Sequence, residues 1–290
     1  MLRERLGKEL LVLDGGMGTL LQERGLTTGE SPESWNITHP EILIEIHQKY
    51  IEAGSDIILT NTFGGNSIKY KDKNHTLEEV IQKGVENAKT ACKKAGKEVL
   101  VALDVGPTGK FMEPYGDLSF EEALKTFEES IRYGVAAGVD LVYLETFYDE
   151  NELKAAVTAA KATCNLPVFA TATFDEAGRL LTGADVKKVI TLLEELGVDA
   201  LGINCGFGPE QMLALVKEMR THTTLPIIVK PNAGLPKKID GKLQYDVEPE
   251  EFGVLMKDIV SEGANIIGGC CGTTPEYILE MAADCLMDKP

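Results

Sequence analysis

Residues 194–206 read Glu-Glu-Leu-Gly-Val-Asp-Ala-Leu-Gly-Ile-Asn-Cys-Gly, and they show the unit from which the fold is predicted. A helix is expected to end at Gly197, because glycine readily adopts the left-handed conformation that closes helices. The apolar run 200–203 then predicts a buried strand, and Asn-Cys-Gly follows it. A similar helix–glycine–strand junction recurs at residues 52–56, 136–140 and 261–265. This repetition predicts a chain of alternating helices and strands.

Eight short apolar runs predict strands that are buried on both faces. They are residues 10–13, 57–60, 99–103, 141–144, 168–172, 200–203, 227–230 and 266–268. Amphipathic helical stretches separate most of them, at residues 40–53, 77–95, 120–137, 150–163, 184–196, 209–220 and 249–261, with a last helix from about 275. Eight such units predict an α/β fold, a (β/α)8 TIM barrel, with residues 1–290 as a single domain. The alternative, a doubly wound open sheet, lacks the glycine fingerprint expected after its first strand.

The charge balance is strongly acidic, with 46 Asp and Glu against 29 Lys and Arg and a net charge of −17. Such a surface repels polyanions, so a nucleic-acid partner is not expected. No run of about 18 apolar residues is present, and the first residues do not resemble a signal peptide. We therefore expect a cytoplasmic protein without a membrane partner. In a reducing compartment its six cysteines are expected to be free thiols.

Three cysteines follow two of the predicted strands. In a barrel, functional residues gather where the carboxyl ends of the strands meet. Cys205 follows the sixth strand, and Cys270 and Cys271 follow the eighth in Gly-Gly-Cys-Cys-Gly (268–272). Zinc binds thiolates in tetrahedral geometry, and catalytic zinc sites leave one position open. We predict that these cysteines hold zinc and activate a substrate thiol; the alternative is three buried structural cysteines.

Two carboxylates lie at other strand ends, Asp14 after the first strand and Glu145 after the fourth. They would hold the ammonium group of an amino-acid substrate through charge-assisted hydrogen bonds. The glycines that follow, Gly15 and Gly16, would offer backbone N–H groups to the substrate carboxylate. A barrel-top ion pair or a helix N-cap would explain the same carboxylates without a substrate.

Further polar residues follow the second and seventh predicted strands. Thr60, Asn61 and Thr62 are candidate substrate contacts through their hydroxyl and amide groups, and hydrogen bonding within their own turn is the alternative. Asn232 lies between the two cysteine-bearing strands. Its side-chain oxygen is a candidate fourth zinc ligand when substrate is absent, and an ordinary turn residue is the competing interpretation.

Together these motifs resemble those of the homocysteine S-methyltransferase family. The matching phrases span nearly the whole chain: Leu-Asp-Gly-Gly-Met-Gly-Thr (13–19), Thr-Asn-Thr-Phe-Gly (60–64), Asp-Val-Gly-Pro-Thr-Gly (104–109), Glu-Thr-Phe (145–147), Gly-Ile-Asn-Cys (202–205), Pro-Asn-Ala-Gly (231–234) and Gly-Gly-Cys-Cys-Gly-Thr-Thr-Pro (268–275). Within the family, the chain most resembles the homocysteine-binding N-terminal module of cobalamin-dependent methionine synthase.

The resemblance implies a zinc-bearing barrel in which Cys205, Cys270 and Cys271 are ligands and the sulfur of homocysteine takes the fourth position. It implies that Asp14, the glycines after it and Glu145 hold the amino-acid end. Methyl transfer to the thiol would give methionine. The implied donor is methylcobalamin on a separate cobalamin-binding module or subunit, whereas S-methylmethionine and betaine serve related enzymes.

Two other classes of protein are consistent with a metal-binding barrel. A metal-dependent hydrolase or aldolase is disfavoured, because the His ligands that such sites usually combine with Asp are absent from the strand ends. A zinc-sensing or redox-sensing protein is the stronger rival. Reversible oxidation of Cys270 and Cys271 would then be its function, with no methyl transfer.

Overall fold

The computed structural model describes residues 2–239 and 242–286, and it confirms the predicted (β/α)8 barrel. Its strands are β1 (Leu11–Val12), β2 (Ile57–Leu59), β3 (Leu100–Val105), β4 (Leu141–Phe147), β5 (Val168–Ala172), β6 (Ala200–Asn204), β7 (Ile227–Lys230) and β10 (Ala264–Ile267). They pair in parallel in the order β1-β10-β7-β6-β5-β4-β3-β2. A parallel bridge between Leu13 and Ile57 joins the first strand to the second and closes the ring. Strands β6 and β10 therefore flank β7, as the cysteine prediction requires.

Helices follow the strands around the outside of the barrel. They are α4 (Pro40–Glu52), α5 (Leu77–Ala95), α6 (Phe120–Ala137), α7 (Glu150–Thr163), α8 (Val186–Glu195), α9 (Pro209–His222), α10 (Pro249–Ser261) and α11 (Pro275–Leu286). The sequence patterns missed the short elements: α1 (Leu2–Arg5), α2 (Met17–Glu23), α3 (Trp35–Thr38), a 3-10 turn (Pro32–Ser34) and the antiparallel hairpin of β8 (Lys237–Ile239) and β9 (Lys242–Gln244). Within residues 2–239 and 242–286, no helix has the length and apolar character needed to cross a membrane.

The strands are buried on both faces, which explains why they read as continuous apolar runs. Side chains such as Leu13, Tyr143, Phe169 and Ile228 fill the barrel interior. Leu2 from α1 joins this inner cluster, so the first helix covers one end of the barrel. The opposite faces of the strands pack against the surrounding helices in a second, larger cluster.

The repeated helix–glycine–strand junction ends in an Asp or Asn residue that connects two neighbouring strands. Its side chain accepts a hydrogen bond from a backbone N–H of the preceding strand. The pairs are Asp56 with Val12 at 2.9 Å, Asp140 with Val101 at 2.8 Å, Asp199 with Val168 at 2.9 Å and Asn265 with Ile227 at 3.1 Å. In the three aspartates, the backbone N–H also donates back to the same partner's carbonyl. The four junctions thus bind the barrel strands in pairs at their amino ends.

We predict that Asp140→Ala lowers the free energy of unfolding by about 1–2 kcal/mol, because the Val101 N–H loses a charged acceptor. Asp140→Asn is the matched control and should retain most of the stability, since Asn265 makes the same contact naturally. Urea unfolding of the three proteins measures the difference. Equal stability of the alanine variant and the wild type would contradict this role.

Candidate metal centre

The three predicted cysteines converge at the carboxyl end of the barrel. Cys205 directly follows β6, and Cys270 and Cys271 follow β10 after two glycines. Their Sγ atoms all lie within 4.8 Å of one another, and Cys205 Sγ is 3.9 Å from Cys271 Sγ. Cys271 is exposed to solvent, whereas the other two are half-buried. The cluster is therefore open on one side.

The spacing of the sulfurs suits zinc. Zinc–sulfur bonds of about 2.3 Å in a tetrahedron place two ligand sulfurs about 3.8 Å apart. The 3.9 Å separation of Cys205 Sγ and Cys271 Sγ matches this edge. A set of three thiols leaves one tetrahedral position for another ligand. No other group of three metal-ligating side chains meets the same distance limit among the described residues.

The local electrostatics keep the free thiols protonated. Contact with the Cys205 thiol raises the pKa of Cys270 well above its usual range, and contact with Cys271 opposes this. Burial and the nearby Glu145 carboxylate raise the same pKa further. A thiol ligand must lose its proton to bind a metal, so metal binding here releases protons.

A tight turn after β10 holds the cysteine pair. The buried Thr273 hydroxyl donates to the Cys270 carbonyl at 2.6 Å, and the Thr273 carbonyl accepts from Gly16 N–H at 2.9 Å. A Cβ on Gly16 would lie 2.7 Å from the Cys270 carbonyl oxygen. The loop after β1 can therefore approach the cysteine turn only because this position is glycine. Sequence reasoning missed Thr273, although it stands in the Gly-Thr-Thr-Pro phrase after the cysteines.

The two predicted glycines serve this turn. The Gly16 N–H also lies 3.1 Å from Thr273 Oγ1, so its hydrogen is used within the protein. A Cβ on Gly15 would lie 2.8 Å from that same Thr273 hydroxyl oxygen. Their contact with a substrate carboxylate stays a prediction.

Asn232 lies beside the cluster, buried at the end of β7. Its Oδ1 accepts the backbone N–H of Cys271 at 3.1 Å, and its own N–H donates to the Phe207 carbonyl at 2.9 Å. Asn232 therefore supports the chain on which Cys271 is mounted. A carbonyl oxygen has a second lone pair, and its use as a fourth zinc ligand stays a prediction.

A cluster of buried charges lies at neighbouring strand ends. Glu145 forms an ion pair with Lys230, in which Lys230 Nζ lies 3.0 Å from Glu145 Oε2, and both side chains are buried. Asp14 Oδ2 accepts the Leu59 N–H at 2.8 Å, whereas its Oδ1 has no hydrogen-bond partner among the described residues. Burial raises the pKa of Asp14 to about 7, although Lys230 and the Leu59 N–H lower it. The ion pair is one of the alternatives foreseen for Glu145, and it leaves Oε1 for another contact.

Sequence reasoning missed two members of this cluster, Lys230 and Asp104. Lys230 is the only buried lysine or arginine among the described residues. Burial lowers the pKa of Lys230, but Glu145, Tyr143 and Asp14 outweigh this and raise it. Asp104, in β3, has one carboxylate oxygen without a hydrogen-bond partner among the described residues. Its burial and, to a smaller extent, the nearby Glu145 carboxylate raise its pKa well above the usual range. The available signal was a charged residue directly at the end of a buried apolar run.

Thr60, Asn61 and Thr62 are buried after β2 and make internal hydrogen bonds. The Thr60 and Thr62 hydroxyls lie 2.7 Å apart, and Thr62 Oγ1 donates to the Asp104 carbonyl at 2.7 Å. Asn61 Nδ2 donates to the Pro32 carbonyl at 2.7 Å. The bonds of the two threonines support the Asp104 strand end, and direct contact with a substrate stays a prediction for all three residues.

Sequence similarity to known proteins extends over the whole barrel. The chain is 33% identical to the methionine synthase of Mycobacterium leprae (strain TN) in an alignment 299 residues long, gaps included, that covers 97% of this chain and 25% of that protein. It is 33% identical to the methionine synthase of Mycobacterium tuberculosis (strain ATCC 25618 / H37Rv) in an alignment of 295 residues, gaps included, that covers 96% of this chain and 25% of that protein. The chain therefore spans about a quarter of the length of these curated relatives.

Solved structures show the same architecture. The homocysteine methyltransferase MmuM from Escherichia coli, in its metallated form, superposes with a TM-score of 0.81 at 26% identity, covering 96% of each chain. The apo form of the same enzyme superposes with a TM-score of 0.76 at 26% identity over the same shares. The family model described as homocysteine S-methyltransferase matches residues 11–285. The chain thus belongs to the homocysteine S-methyltransferase family.

Proposed function

We propose that the chain, as one domain over residues 1–290, transfers a methyl group to the thiol of homocysteine to give methionine. The observation that carries this proposal is the convergence of three thiols within 4.8 Å, open on one side. The reaction forms a carbon–sulfur bond at the substrate thiolate and breaks the bond between the methyl group and its donor. The proton of the thiol is released. Family membership supports this choice over a zinc or redox sensor.

Cys205, Cys270 and Cys271 are the residues that would hold zinc. When bound, zinc would supply the positive charge that lowers the pKa of a substrate thiol and makes it a nucleophile at neutral pH. The open side at Cys271 gives the substrate sulfur access to the cluster. In this proposal Asn232 keeps Cys271 in place and is also the candidate ligand when substrate is absent.

The amino-acid end of homocysteine would be held by Asp14 and Glu145. Glu145 Oε2 is bound to Lys230 while Asp14 Oδ1 has no partner among the described residues, so the two carboxylates together have unused acceptor capacity. An ammonium group supplies three donors and a positive charge. Gly15, Gly16, Thr60, Asn61 and Thr62 complete the proposed substrate-binding set.

Methylcobalamin is the proposed donor, carried by a cobalamin-binding module or a separate subunit. The similarity to methionine synthases about four times as long supports this donor. A small donor, S-methylmethionine or betaine, is the alternative within the same reaction. A cytoplasmic location is part of the proposal.

Zinc binding is tested by metal analysis of the purified chain. We expect about one zinc per chain, lost in Cys270→Ser and in Cys271→Ser, because each change removes one of three thiolate ligands. Cys92→Ser and Cys164→Ser are matched controls, since these half-buried cysteines lie outside the cluster. Full zinc content in both cluster variants would rule out this metal site.

The role of Glu145 is tested by Glu145→Gln, which keeps the size of the side chain and removes its charge. We expect homocysteine affinity, measured by calorimetry, to fall by roughly tenfold or more, while zinc content stays the same. Glu152→Gln is the control, because Glu152 is a buried glutamate that binds Thr108 instead. Loss of zinc with unchanged homocysteine affinity would be evidence against this assignment.

The reaction itself is tested with the zinc-loaded chain, homocysteine and each donor in turn. We expect methionine to form with methylcobalamin, and chromatography measures the product. Turnover with S-methylmethionine or betaine alone would replace the proposed donor but keep the reaction. No methionine with any of the three would contradict the function and favour a sensor.

A further inference from the structure

The buried side chain of Asn204, the last residue of β6, links the cysteine cluster to the carboxylate end of the site. Its Oδ1 accepts the Thr146 N–H at 2.9 Å and the Thr171 hydroxyl at 2.8 Å. Its Nδ2 donates to Thr146 Oγ1 at 2.7 Å and lies 3.9 Å from Cys270 Sγ. Because the Thr146 N–H can only donate, Oδ1 must face it. Both hydrogens of Nδ2 therefore have acceptors, one oxygen and one sulfur.

Two residues beside Asn204, Thr146 in space and Cys205 in sequence, have left-handed backbone conformations. Thr146 has a φ of 66° and Cys205 a φ of 60°, and they are the non-glycine residues with positive φ in the described parts of the chain. Such a conformation costs on the order of 1–3 kcal/mol and persists only where neighbouring groups hold it. Asn204 holds Thr146 through two hydrogen bonds and directly precedes Cys205. The side chain therefore stabilises the strained Thr146 directly, and its own residue leads into the strained Cys205.

We propose that Asn204 is a positioning residue that fixes Glu145 relative to the cysteines and donates an N–H···S hydrogen bond to the Cys270 sulfur. This inference rests on the proposed function, because it places Asn204 between the two ends of the homocysteine site. Glu145 directly precedes Thr146, so a shift of Thr146 moves the carboxylate against the sulfurs. An amino-acid thiol must span both ends, and a fixed distance selects thiols by chain length. Cysteine, one methylene shorter than homocysteine, should therefore bind poorly.

Two isosteric variants separate the two parts of this role. Asn204→Asp replaces the N–H donor with an acceptor of the same size, so the Cys270 sulfur loses its hydrogen bond and faces a negative charge. We expect the zinc dissociation constant, measured against a chromophoric chelator, to rise about 10- to 100-fold. Thr146→Val keeps the branched shape at positive φ and removes only the Oγ1 acceptor.

For Thr146→Val we expect zinc affinity to stay within about threefold of the wild type, because the Cys270 contact remains. The preference of the zinc-loaded protein for homocysteine over cysteine, measured by calorimetry, should fall about tenfold, which is the order that one methylene is worth in a fitted site. Thr173→Val is the control for both readouts. Its hydroxyl donates to the Asn204 backbone carbonyl at 2.9 Å and does not touch the amide.

Unchanged zinc affinity in Asn204→Asp would overturn the N–H···S bond. Equal losses of homocysteine and cysteine affinity in Thr146→Val would overturn the positioning role, because a merely structural defect affects both ligands alike. Neither readout needs a methyl donor. A wild-type chain that binds neither zinc nor homocysteine would overturn the proposed function itself, whereas changed variants on an intact wild-type background test Asn204 alone.

Discussion

The central constraint at the mouth of this barrel is that three thiols are held within 4.8 Å of one another on two separate strands. Thiols this close to one another disfavour each other's ionisation. No attraction between them is strong enough to hold them together. Their positions are imposed by the backbone. Cys205 itself adopts a left-handed backbone conformation, and a glycine-flanked turn secured by Thr273 carries the other two. The fold positions the three thiols before a metal binds, so a metal would meet ligands that are already near their final separation.

The charges near the cluster impose a second constraint. Asp14, Asp104 and Glu145 are buried with Lys230 as the one buried cation among the described residues. Unpaired buried carboxylates are costly, so burial raises the pKa of Asp14 and of Asp104, whereas Glu145 makes an ion pair with Lys230. Buried ion pairs contribute little net stability. In the proposed function, the ammonium group of homocysteine adds a second positive charge to this cluster.

Much of this organisation could be predicted from the sequence, because the barrel and its strand ends are local patterns. The predicted strand ends lie within three residues of the observed ones, and the order of β6, β7 and β10 follows from the barrel itself. The role of Lys230 could not be predicted, because it depends on a contact with Glu145 across 85 residues. Asn204 stands in the Gly-Ile-Asn-Cys motif directly before Cys205, but its side-chain amide reaches Thr146 and Cys270 only in the folded protein. Short helices and the β8–β9 hairpin were missed because they have too few residues to show a period.

In the proposed function, these three cysteines hold a metal that keeps one position for the substrate's own sulfur. X-ray absorption at the zinc edge tests it most directly, with the zinc-loaded chain measured before and after homocysteine is added. If the substrate sulfur binds the metal, the number of sulfur neighbours rises from three to four and a lighter ligand is lost. A spectrum that does not change at saturating homocysteine would contradict it.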